Sequence, residues 1–224
     1  FQSFRSQRDW VNSNGMAQSL CDLNDCITTL KKDERFVGKD ISVIGHSWGG
    51  FSALNISAFH PDLSHIVALS GFVSVELLVN SCFGGLLKGY RKAVMQVEQS
   101  ANPDFVGCQA VESLSKTKAK VLLIYSDNDR LCRKEVHYDA LKKGLEGKEN
   151  IRFLLEQGKG HNPNYTADAV KYLGEYGSQR AKRMRKKQSE TDLQKKEFLA
   201  SWDWDRMTAQ DERVWDEIFR CFDS

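Results

Sequence analysis

Ser47 stands in the stretch Gly45-His46-Ser47-Trp48-Gly49-Gly50, where its neighbours suit a serine nucleophile. A serine raised on a sharp turn has a strained backbone and needs very small neighbours, and Gly45 and Gly49 are expected to supply that room. The preceding Ile41-Ser42-Val43-Ile44 is short and rich in β-branched residues, which reads as a buried strand. Residues 49–59 read as a helix that ends before Pro61. A strand running into such a turn and then a helix lifts the hydroxyl clear of the sheet edge. The positive helix N-terminus then points at the reacting centre, and the Trp48 N–H becomes a donor for a developing oxyanion.

A hydroxyl attacks poorly unless a base takes its proton, so a histidine is required. The candidates are His46, His60, His65, His137 and His161. His46 lies inside the turn and is expected to point away from the serine's side. His60 and His65 flank Pro61-Asp62 and suit surface or capping positions, and His137 falls on a helix face. His161 follows an expected strand at 151–155 and sits in Gly158-Lys159-Gly160-His161-Asn162-Pro163, a glycine-rich loop that suits a base; it is the choice. An orienting carboxylate should leave a strand between these two points. Tyr125-Ser126-Asp127-Asn128-Asp129 offers Asp127 and Asp129, and either could instead cap a turn.

The elements needed to bring these groups together are legible along the chain. Residues 15–33 carry apolar side chains at helical spacing, with Lys31 and Lys32 at the end the helix dipole prefers. Further strands are expected at 66–69, 121–125 and 151–154, and further helices at 133–146 and 165–177. Strands alternating with helices imply a parallel sheet covered on both faces. Residues 74–115 differ in texture and suggest a small helical excursion, either a cap over the site or a pair of connecting surface helices. After residue 178 a basic run through Arg180, Lys182, Arg183, Arg185, Lys186 and Lys187 precedes an aromatic tail. The run reads as a solvated helix face. Trp202, Trp204 and Trp215, with Val214, Ile218 and Phe219, are expected to dock the tail on the body.

The 224 residues suffice for one sizeable core with an appendage, and 41% apolar with 28% charged residues is ordinary for a globular chain. No run approaches the ~18 apolar residues of a membrane span, so stable membrane insertion is not expected. A net charge of +2 without a recognition motif argues against nucleic acid. The six cysteines form no Cys-x-x-Cys pair and no zinc-like spacing with histidine, so no metal is expected. They read as reduced thiols, which favours a reducing, cytoplasmic compartment.

From about residue 15 to 178 the sequence resembles the α/β-hydrolase superfamily. The stretch from Phe36 to Phe51, with Ile44-Gly45-His46-Ser47-Trp48-Gly49-Gly50 at its end, looks like prolyl-oligopeptidase-like and dienelactone-hydrolase-like members. The resemblance implies an α/β-hydrolase core over 1–178, a small helical cap at about 74–115, and a charged helical extension over 179–224 packing on the core. It implies that Ser126 takes the small position of the acid's turn and Asp129 the acid, with Asp127 left as a turn residue. It also implies acyl transfer without a cofactor on a small ester or acyl substrate. A prolyl-oligopeptidase-like peptidase and a non-catalytic binding protein that kept the fold are the alternatives. Family members carry several strands before the nucleophile, including the loop with a second oxyanion donor. Here only 46 residues precede Ser47, Phe1 is not an initiator Met, and Phe4-Arg5-Ser6-Gln7-Arg8-Asp9 stands where an Arg-Gly-x-Gly turn is usual. The chain is therefore expected to lack the first strands and to be incomplete at its N-terminus.

Overall fold

A computed structural model describes residues 15–185 and 191–224. The expectations for Phe1–Trp10 and for Lys186 and Lys187 lie outside the described residues. The architecture is an α/β-hydrolase-type sheet of four strands: β1 (Ser42–His46), β2 (His65–Leu69), β3 (Lys120–Ser126) and β4 (Ile151–Glu156). All neighbours pair in parallel and the spatial order follows the chain, β1-β2-β3-β4. Parallel pairing brings the C-terminal end of every strand to one edge of the sheet, where open α/β sheets collect functional groups. Each expected strand is present within a residue or two of its predicted limits.

Side-chain alternation along the strands gives the sheet two different faces. Val43, Ile66, Ala68, Val121, Leu123, Tyr125 and Ile151 point into the larger core. They meet α1 (Gln18–Lys32) through Leu20 and Ile27, and α2 (Trp48–Asn55) through Phe51 and Leu54. The Phe51 ring stacks on Phe72 at 4.5 Å between centroids. Residues 74–115 fold as α3 (Val75–Cys82), α4 (Tyr90–Ala101) and α5 (Ala110–Lys116), and Leu114 of α5 joins this core. The helix expected at 133–146 is shorter: α6 spans Tyr138–Gly144, and the residues before it form turns. Residues 133–137 close their own turns, with the Val136 and His137 N–H groups donating to the Arg133 carbonyl at 3.1 and 2.9 Å, while His137 Nδ1 accepts the distant Val73 N–H.

On the opposite face lie Val67, Leu69, Leu122 and Ile124. After β4 the chain forms α7 (Ala167–Arg185), which runs without a break through residue 178, then α8 (Asp192–Ala200) and α9 (Trp204–Met207). Finally α10 (Glu212–Phe222) returns to lay Val214, Ile218 and Cys221 on this second face. Its apolar residues at i, i+4 and i+7 form one stripe, which is why it docks as a helix. Of the expected aromatic anchors, Trp215 packs, partly buried, beside this cluster. Trp202 packs among Tyr172, Tyr176 and Phe198, within the layer made by α7 and α8, and Trp204 and Phe219 stay largely exposed. Among the described residues no helix is long and apolar enough to cross a membrane.

Candidate active site

The turn after β1 has the conformation the sequence demanded. Ser47 adopts φ 56° and ψ −109°, a strained backbone for a residue with a side chain, of the kind that collects at functional sites. Two hydrogen bonds hold it there: its N–H donates to the Leu69 carbonyl of β2 at 2.8 Å, and its own carbonyl accepts from Phe51 N–H at 3.0 Å. Gly45 is needed for space, because a Cβ there would sit 2.1 Å from the Gly49 carbonyl oxygen. Gly49 corrects the expectation: a Cβ at that position meets nothing within 4 Å, since it faces outward from the first turn of α2. The second obligatory glycine is Gly50, whose Cβ would lie 2.8 Å from Gly71 Cα. That close approach between α2 and the loop after β2 is a tertiary contact and leaves no local signal beyond the doubled glycine. Trp48 begins α2, so its backbone N–H belongs to the set with no partner inside the helix. Its indole Nε1 donates to the Met16 carbonyl at 2.5 Å.

His161, Ser47 and Asp129 meet at the C-terminal edge of the sheet. His161 Nε2 lies 2.7 Å from Ser47 Oγ, and its Nδ1 lies 2.8 Å from Asp129 Oδ2. A carboxylate only accepts, so Nδ1 carries the imidazole proton and Nε2 is free to accept the serine's. The Asp129 side chain is fully buried, whereas that of His161 keeps 20% of its exposure. Burial alone would raise the Asp129 carboxyl, but four influences outweigh it and hold it below the usual range: the His161 hydrogen bond, the His161 charge, and the N–H groups of Leu131 and Cys132. Oδ1 accepts those two N–H groups at 2.8 and 3.1 Å, which leaves Oδ2 for the imidazole.

The loop after β4 is stitched to the loop after β3 residue by residue. Asp127 Oδ1 accepts Gly158 N–H at 2.8 Å, Ser126 Oγ accepts Lys159 N–H at 3.0 Å, and Asn128 Oδ1 accepts Gly160 N–H at 2.7 Å. Gly158 and Gly160 have φ of 70° and 59°, which L side chains rarely adopt. So Asp127 is a turn residue as expected, with the definite task of holding the base's loop. Ser126 and Asn128 share that task and were not singled out for it; the signal was the run of short polar side chains after a strand. Lys159 Nζ, almost fully buried, donates to the Tyr165 carbonyl at 2.5 Å and to Asp211 Oδ2 at 2.8 Å, tying this loop to the start of α10.

The other histidines are placed by packing. His46 corrects the expectation: its ring centroid lies 5.0 Å from that of His161, and its Nε2 donates to the His161 carbonyl at 2.7 Å. Alternation along β1 turns His46 to the face from which the base's loop descends. His60 is buried, with Nδ1 3.2 Å from Lys31 Nζ, so it is neither a surface nor a capping group. His65 Nδ1 meets Ser42 Oγ at 3.0 Å on β1. His137 is fully buried ahead of α6 and accepts Val73 N–H at 3.2 Å. Burial, with the Arg133 charge, outweighs the Asp129 charge and pushes it down to about 4, so it stays neutral near pH 7. Cys132, also unmarked by spacing, is 2% exposed beside Asp129; burial first, then the charges of Asp129 and Cys82, drive its thiol well up.

A strained hydroxyl, an imidazole in contact with it and a buried carboxylate behind form an arrangement capable of nucleophilic acyl transfer. The model of the prolyl oligopeptidase family matches residues 6–188 of the chain. No curated protein sequence matches it. Among solved structures, a protein from Bacteroides ovatus described as a dipeptidyl aminopeptidase IV shares 17% identity at a TM-score of 0.51, over 75% of this chain and 23% of its own. An esterase of Pyrococcus furiosus shares 16% at 0.49, over 80% of this chain and 65% of its own. The acylaminoacyl peptidase of Pyrococcus horikoshii shares 19% at 0.45, over 63% and 23%. The chain thus spans less than two thirds of the length of each of these three proteins.

Proposed function

The chain belongs to the prolyl oligopeptidase family of the α/β-hydrolase superfamily, and from that premise we propose that it is a serine hydrolase cleaving a carboxylic ester through an acyl-enzyme on Ser47. The observation that carries the reading is the continuous chain of contacts Ser47 Oγ–His161 Nε2 and His161 Nδ1–Asp129 Oδ2. In the proposed cycle His161 takes the Ser47 proton as Oγ attacks the carbonyl carbon, and Asp129 stabilises the resulting imidazolium. The Trp48 N–H donates to the oxyanion. The imidazolium then gives its proton to the leaving alcohol, and water, activated by the same imidazole, releases the acid. No cofactor is required.

The choice of an ester rests on the short 3-10 helix Gly85–Gly89 and the Tyr90 after it, whose exposed Leu86, Leu87 and Tyr90 side chains offer an apolar surface of the kind an acyl chain would take. A peptidase is the second reading, favoured by the family itself. Turnover of p-nitrophenyl esters set against aminoacyl amides separates the two. Ser47→Ala is expected to abolish turnover of the preferred substrate and labelling by a fluorophosphonate probe. Wild-type protein that the probe fails to label would instead favour a binding protein that kept the fold.

A further inference from the structure

Beside the triad lies a buried thiol, Cys132, that the acyl-transfer cycle never uses. Asp129, Cys132 and His161 each present a ligand atom, and these three atoms lie within 4.8 Å of one another. Neither spacing nor motif marks the set, because His161 arrives from the far loop. A carboxylate oxygen, an imidazole nitrogen and a sulfur are the donors that soft or borderline dications take up. At Zn–S of about 2.3 Å and Zn–N and Zn–O of about 2.0–2.2 Å, tetrahedral donors stand roughly 3.3–3.8 Å apart, so the sulfur approaches by on the order of 1 Å while the His161 Nδ1–Asp129 Oδ2 pair, now 2.8 Å apart, opens by roughly 0.5 Å. Cys132 and Asp129 sit in one tight turn and the His161 loop is fixed through Gly158, Lys159 and Gly160, so the adjustment falls on rotation of the Cys132 and His161 side chains.

We infer that Asp129, Cys132 and His161 form an inhibitory site for a soft divalent cation such as Zn²⁺ or Cd²⁺. The thiolate and the carboxylate together cancel the two positive charges, so the bound cluster is neutral. Neutrality matters because Cys132 is 2% exposed and a lone charge there would be costly. The proton balance explains the loss of activity. Binding expels the thiol proton to solvent as the metal–sulfur bond forms. The imidazole keeps one proton, but coordination through Nδ1, the nitrogen now facing Asp129, moves that proton to Nε2. Nε2 then cannot accept the Ser47 proton, and Asp129 no longer orients the ring.

The inhibition rests on the proposed role of Ser47 and His161, so the test reads metal binding separately from turnover. Titration of the whole chain with CdCl₂ should develop the ultraviolet thiolate-to-cadmium absorption to one equivalent. Cys132→Ser should lose that band, whereas Cys82→Ser should keep it. ZnCl₂ should inhibit the wild-type protein reversibly, with EDTA restoring activity, and Cys132→Ser should need at least tenfold more zinc for the same fractional inhibition. If Cys132→Ser does not fold, Asp129→Asn titrated with CdCl₂ supplies the answer, since losing the carboxylate should raise the cadmium concentration for half-maximal band at least tenfold, and an unchanged midpoint overturns the site. A band that is absent in the wild-type protein, or unchanged in Cys132→Ser, overturns the site. A normal band in a protein that hydrolyses nothing would sustain the site and sink the Ser47 reading instead.

Discussion

The rim of the sheet and its second face are built on opposite principles. At the rim, polar groups are held by single, directed contacts: Asp127, Ser126 and Asn128 each fix one N–H of the base's loop, and Asp129 divides its oxygens between its own turn and His161. The second face is held by the area that α10 covers, through Val214, Ile218 and Cys221 against Val67, Leu69, Leu122 and Ile124. A directed network fails when one atom is lost, whereas an apolar contact fails by degrees. Chemistry should therefore be separable from stability at the rim, and stability from chemistry under α10.

The largest effect expected is at the rim. Asp129→Asn should lower kcat by about 10⁴-fold, because an amide favours the wrong imidazole tautomer. Its circular dichroism spectrum should stay native, and a loss of tenfold or less would break the assignment of the acid. The two glycines give the next contrast. Gly45→Ala forces its new methyl onto the Gly49 backbone and should abolish both activity and soluble expression, whereas Gly49→Ala meets open space and should fold with an unchanged melting temperature. Equal damage from both would refute the spatial account of the turn.

Beneath α10, Ile218→Ala should cost about 2–5 kcal/mol in urea unfolding, as for other fully buried aliphatic side chains. The kcat of the molecules that remain folded should change little. A fall in kcat without a fall in stability would mean that α10 acts on the rim directly.

The smallest effect should come where the two regions touch. Burial works to raise the Asp211 carboxyl, but hydrogen bonds from Lys159 and Arg213 outweigh it and hold it below its ordinary value. A depressed carboxyl contributes stability above its unfolded pKa of about 3.9, and that stability is lost as the pH falls through the lower folded value. Asp211→Asn should therefore melt a few degrees below wild type at pH 7, with the gap closing below about pH 4. A gap that persists in acid would point to packing and not to charge.

Much of the fold was legible in the sequence. Four runs of β-branched and aliphatic residues bounded by glycine, lysine and turn residues gave four strands: the central β2 and β3 are buried almost throughout, as doubly covered parallel strands are, whereas the edge strands β1 and β4 expose Ile44 and Arg152. Apolar spacing predicts a helix over 133–146, but regular helix begins only at Tyr138, after turns in which His137 accepts the Val73 N–H, a partner far along the chain. The histidines show the same limit. His161 was found by its loop, but the burial of His60 and His137 and the seat of His46 against the base depend on partners far along the chain.

The sequence by itself determined which residues were chemically equipped and where each stood relative to a strand end, because turn strain, strand composition and glycine placement are local properties. It left Asp127 and Asp129 as equals on residue type alone. The family resemblance implied Asp129, and the tertiary structure supplies the physical ground, giving Asp127 a backbone N–H and Asp129 an imidazole, because hydrogen bonding depends on distances that parallel strand register sets across the sheet. The same register brought His161 to the turn that holds both Asp129 and Cys132, so that three ligand atoms meet which no spacing along the chain announces together.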